Sequence, residues 1–141
     1  MHGVVATLCG FVAGSVVNMG LIQLGSYMMP PPPEMDMSTM EGIRLALPML
    51  SPAHFVFPLL AHSFGTLVGA FVTARLVAAA SKWSLVVGGL FFLGGVSMVK
   101  MVGGPLWFIA LDLLLAYFPM APLGSTLAGL GVEPGQKMKL S

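Results

Sequence analysis

The chain has 141 residues, 57% of them hydrophobic and 8% charged, and a net charge of +1. Soluble domains carry about a quarter charged residues, and a surface this apolar aggregates in water, whereas in a bilayer an apolar exterior is the stable one. The charge balance leaves no basic face for nucleic acid, and the length accommodates one domain.

A spanning helix needs about 20 predominantly apolar residues, and four stretches meet that requirement. The first covers about residues 3–27. It holds Cys9, the single cysteine, which excludes an internal disulfide and a CxxC site and reads as a small packing residue. Leu8-Cys9-Gly10 is not a lipoprotein cleavage site, because no basic segment precedes it and Leu8 is not small. The stretch is also too long for a signal-peptide core, so it reads as a retained helix. Gly10 and Gly14 have GxxxG spacing, and Gly3, Thr7, Gly14, Asn18 and Gly25 share one helical face.

Residues 28–54 form the long loop. Pro30 to Pro33 must be extended, because proline fixes φ and restricts the residue before it. Ser38-Thr39-Met40-Glu41 has capping-box spacing and opens a short helix that Pro48 ends. Met40, Ile43 and Leu47 share one face of it, with Glu41 and Arg44 turned away. The pattern predicts a helix lying on the membrane surface, either as a lid or as a connector. Met35, Met37 and Met40, with His54 nearby, are soft ligands suited to Cu(I). The cluster superficially resembles the outer segments of high-affinity copper transporters, but no span here carries their MxxxM. Methionine is equally an adaptable apolar filler, so Cu(I) capture is a minor alternative.

The second span covers about 55–78, the third 83–102 and the fourth 105–123, with short joints that make consecutive hairpins. Gly103-Gly104-Pro105 is the sharp turn between the last two. Pro58, His62, Gly65, Thr66, Gly69 and Thr73 share a face of the second span, predicting a close antiparallel contact with the first. Gly88 and Gly95 lie on one face of the third, to meet either the fourth span or a second copy of the chain.

Charge sets the orientation. Arg75, Lys82, Lys137 and Lys139, opposed only by Glu133, lie on one side; Glu34, Asp36, Glu41 and Arg44 lie on the other, with Lys100 just inside its edge. The positive-inside rule then places both termini in the cytoplasm, and Tyr27, Trp83 and Trp107 fall at the interfaces. No organelle-targeting segment precedes the first span, so a bacterial inner membrane is the expected location.

Three polar side chains fall in one layer of the outer half. At 1.5 Å per residue, Asp112 lies about 10 Å below the outer turn, His62 about 12 Å and Asn18 about 13 Å. Lys100 has a stem that reaches toward Asp112. Ionisable groups at this depth line pathways in transporters, so Asp112 and His62 read as a proton- or ligand-binding centre, with Asn18 as hydrogen-bond partner and Lys100 as counter-charge. The competing reading is structural: an Asp112–Lys100 ion pair, with His62 and Asn18 fixing helix register. Haem is not expected, because His54 and His62 share a helix and point about 80° apart. No nucleophile–base pair, phosphate loop or HExxH motif occurs, so neither enzymatic activity nor a cofactor is expected.

Gly14-Ser15-Val16-Val17-Asn18-Met19, the proline run ending at Glu34, residues 61–70 (AHSFGTLVGA) and Trp107-Phe108-Ile109-Ala110-Leu111-Asp112 together resemble small four-helix bacterial membrane proteins of uncharacterised function. The resemblance implies the fold and no activity. Small multidrug transporters and fluoride channels share the helix count, but their signature residues are absent. The expected architecture is an all-α, four-span bundle with both ends inside and a short interfacial helix in the first outer loop. The expected role is a small transporter or channel-like protein; the alternative is an accessory or assembly subunit. Expected partners are the lipid bilayer and either further copies of the chain or a larger membrane complex.

Overall fold

The computed structural model describes residues 2–77 and 80–130. Six α-helices follow one another: α1 (Gly3–Met28), α2 (Met40–Ala46), α3 (Val56–Leu76), α4 (Ala80–Val102), α5 (Leu106–Leu115) and α6 (Met120–Leu130). Two 3₁₀ turns, Leu47–Met49 and Pro52–Phe55, join α2 to α3. The described residues contain no strand. Four helical segments, Gly3–Met28, Pro52–Leu76, Lys82–Val102 and Leu106–Gly129, are long and apolar enough to cross a membrane. At 1.5 Å per residue α1 is about 39 Å long and α4 about 34 Å, against a hydrocarbon core of about 30 Å. The predicted end of the second span at residue 78 lies outside the described residues, as do Glu133, Lys137 and Lys139.

The distribution of side chains reverses that of a soluble protein. Large apolar residues such as Leu8, Val12, Val16, Leu85, Leu93 and Leu114 are exposed, while the buried positions are mostly small: Ala6, Ala61, Ala70, Ala116, Ala121 and Ala128. Lipid gives helices no hydrophobic reason to associate, so close backbone approach supplies the contact. The most extensive contact is α1 against α3, followed by α3 against α6. At the first, a Cβ on Gly10 would overlap the Gly69 carbonyl, and one on Gly14 the Gly65 carbonyl. At the second, a Cβ on Gly124 would overlap the Leu67 carbonyl. Thr73 Oγ1 bridges α3 to α1, donating to the Gly69 carbonyl at 2.9 Å and the Ala6 carbonyl at 3.3 Å. Gly88 and Gly95 meet Ala121 and Tyr117, so that face of α4 packs on the fourth span.

The α4–α5 turn uses φ of +80° at Gly103 and +146° at Gly104, conformations open to glycine at little steric cost. At the opposite end of the bundle Gly3 lies against Trp83, and Arg75 Nη1 donates to the Ala128 carbonyl at 3.3 Å. That bond places a cation at the last turn of α6, where the helix dipole favours positive charge.

The fourth span departs from the expected continuous helix over 105–123. It is two helices separated at residues 116–119. Pro119 has no N–H to offer the Leu115 carbonyl, its ring clashes there, and it disfavours helical geometry at Phe118. Pro122 causes no second break, because it lies in the first turn of α6.

Candidate functional site

Residues of α1, α3, α4 and α5, together with the α1–α3 connection, line a cavity of about 360 Å³. Its positions recur at helical spacing: Ile22, Gly25 and Ser26 on α1, with Met29 just past its end, Gly95, Val99 and Val102 on α4, Phe108 and Asp112 on α5. From the α3 side come Phe55, Pro58 and His62. The lining is overwhelmingly apolar, and its titratable groups are His54, His62 and Asp112. Ser26, Met37, Met98 and Gly103 are exposed lining residues and mark where the cavity reaches the surface.

The connection covers this cavity. Ile43 and Leu47 present the apolar side of α2 and the following turn to it, along with Pro31 and Met37. Thr39, one residue later than the capping box in the sequence suggests, caps α2 by accepting from the Gly42 N–H at 3.0 Å. Asp36 organises the approach: its carboxylate accepts from the Ser38 N–H at 2.9 Å, the Ser38 hydroxyl and the Thr39 hydroxyl. The Ser38 bonds hold the Asp36 pKa below the ordinary carboxylate range. Gly42 has to be small, since a Cβ there would overlap the Asp36 carbonyl.

His62 and Asp112 meet across α3 and α5, Nδ1 to Oδ1, at 2.7 Å. This is the ion-pair contact among the described residues. Asp112 is 2% exposed, and its other oxygen accepts from the Tyr117 hydroxyl at 3.3 Å. The Tyr117 ring also stacks on His62, with centroids 6.0 Å apart and planes 26° from parallel. The contact uses Nδ1 of the imidazole, so Nε2 is the ring nitrogen not engaged by Asp112. The His62–Asp112 unit is therefore chemically able to hold a proton at membrane depth or to present a carboxylate to a cation.

The other sequence-derived candidates fall elsewhere. Asn18 packs on Gly65 in the α1–α3 contact, outside the cavity lining, and its buried Oδ1 has no partner among the described residues. Lys100 is exposed and takes no part in the Asp112 interaction. The reason is helical phase: Gly95, Met98, Val99 and Val102 face the cavity, and Lys100 lies about 150° from the centre of that group. Of the methionine set, Met37 and His54 line the cavity, while Met35 and Met40 do not. The His54 ring is bonded to the Ser51 hydroxyl at 2.9 Å. Among the described residues no group of three or more His, Cys, Asp or Glu side chains is placed to hold a metal ion.

Tyr117 carries no signal in the sequence. In a continuous helix it would point about 140° from Asp112, and only the interruption at 116–119 brings its hydroxyl to the carboxylate. The phenylalanines around the site, Phe55, Phe57 and Phe108, are indistinguishable in sequence from the lipid-facing ones.

The fold is that of a small multi-pass membrane protein, with four membrane-spanning-capable helices packed together. No family model matches the chain, and neither a curated protein nor a solved structure matches it. The resemblance to small bacterial membrane proteins therefore rests on the quoted residues alone.

Proposed function

We propose that the chain is a small membrane carrier that moves a solute through the cavity above His62 and Asp112, linked to a proton on that pair. One observation carries the reading: the buried 2.7 Å His62–Asp112 bond forms part of the wall of an apolar cavity, with no other acidic group lining it. A purely structural ion pair has no need of adjoining space, whereas a transport site does. The charge pattern supports an orientation with both termini cytoplasmic, the cavity facing outward and α2 lying at the outer interface as its lid. A bacterial inner membrane is the proposed location. The role is transport, and no enzymatic step is proposed.

A second reading is favoured by two observations. Both Asp112 oxygens are hydrogen-bonded, and Gly20, Gly89 and Gly94 have open space where a side chain would stand. These suit a non-catalytic subunit that packs against further copies or other membrane proteins.

Proton flux into liposomes containing the purified protein separates the two. The carrier reading expects a wild-type flux that His62→Ala and Asp112→Asn each abolish and that Lys100→Gln leaves within about twofold, because Lys100 is outside the site. A flux unchanged by either site substitution sinks it. A wild type that is silent across a range of pH and voltage, with and without a gradient of organic cation, favours the subunit.

A further inference from the structure

We infer that the cavity takes an apolar organic cation, and that Asp112 exchanges the His62 proton for it. The inference rests on the carrier reading for transport, but its binding chemistry stands on the site itself. Asp112 is the one lining group able to carry negative charge, so it disfavours an anionic occupant and favours a cation over an apolar neutral one. Phe55, Phe57 and Phe108 line the same cavity, and aromatic faces attract cations as well as apolar surface. The volume of about 360 Å³ admits a small substituted ammonium ion with an apolar body.

The exchange balances in charge. Before binding, protonated His62 neutralises the Asp112 carboxylate across their hydrogen bond. The entering cation takes over as counter-charge, His62 loses one proton to solvent, and the site remains neutral overall. Two positive charges beside one carboxylate in an apolar wall are costly, so cation and proton compete. The groups facing His62 allow this. Asp112 meets it from α5 and Tyr117 from the α5–α6 break, and His54 is the remaining titratable lining group. The α1 and α4 residues lining the cavity are not titratable.

The test uses benzyltrimethylammonium, whose charge is fixed at every pH, and its uncharged carbon isostere, neopentylbenzene. Binding to the detergent-solubilised full chain is read by thermal stabilisation, and proton release by calorimetry in two buffers of different ionisation enthalpy. The expected result is binding of the cation in preference to the isostere, with one proton released per cation. Where proton and cation compete, affinity then weakens as pH falls, by up to about tenfold per pH unit. His62→Ala binds the cation without proton release or this pH dependence, and Asp112→Asn binds it roughly thirty-fold or more weakly. Equal binding of the isostere, or cation binding without proton release in wild type, overturns the inference whether or not the variants fold. If the isostere binds as well as the cation while the site-dependent proton flux is present, the carrier reading stands and the cation assignment falls. If the cation binds with proton release but a cation gradient across the liposome membrane drives no proton flux, the assignment stands and the carrier reading falls.

Discussion

Gly14→Ala tests whether backbone contact between α1 and α3 holds the bundle together. A Cβ at Gly14 overlaps the Gly65 carbonyl oxygen and comes within 2.8 Å of Phe91 Cζ. The first obstacle is backbone and cannot swing aside as a flexible side chain can. Relieving it moves α1 away from α3 along the most extensive contact in the molecule. Overpacking of this kind costs typically 1–3 kcal/mol, and a backbone obstacle plus a ring places this one at about 2 kcal/mol. That is roughly thirty-fold in the folding equilibrium. Gly20→Ala on the same helix is the control, because nothing lies within 4 Å of its added Cβ. Alanine there improves helix propensity by up to about 1 kcal/mol. Stability is measured by unfolding the purified protein from mild-detergent micelles with sodium dodecyl sulfate, following helicity. The two variants should differ by about 2–3 kcal/mol. A difference below about 0.5 kcal/mol refutes the argument that this close approach organises the fold.

Pro119→Ala restores an N–H able to reach the Leu115 carbonyl, so amide exchange over residues 116–119 should slow as helix propagates across the break; unchanged exchange means that tertiary packing, not proline, sets the interruption. Asp36→Ala removes the acceptor for Ser38 and Thr39 and should speed exchange in α2 while leaving α3 untouched. Wild type should show the same local change on acidification. Because the folded Asp36 pKa is depressed, its contribution is present above the unfolded value near 3.8 and is lost as pH falls through the folded value. Protection in α2, corrected for the intrinsic pH dependence of amide exchange, that stays flat from neutral pH into strong acid contradicts that role.

The sequence alone determined the class of molecule, because composition and segment length are summed properties. So little charge and four long apolar runs leave few stable arrangements other than spanning helices. The small-residue faces of the first two spans were equally legible, since glycine spacing on a helix does not depend on its neighbours. His62 and Asp112 stood out for a related reason: a polar residue in an apolar run is visible without coordinates. Their pairing was one of two readings that the sequence left open, against an Asp112–Lys100 pair. Depth placed Lys100 close enough to compete for Asp112, and only the rotation of α4 about its axis turns Lys100 away from it. The break at Pro119 was written in the sequence, yet its consequence, a Tyr117 hydroxyl on Asp112, needs the actual path of the chain. The cavity belongs wholly to the tertiary structure, because its lining comes from four helices and the α1–α3 connection, and no local pattern encodes a volume.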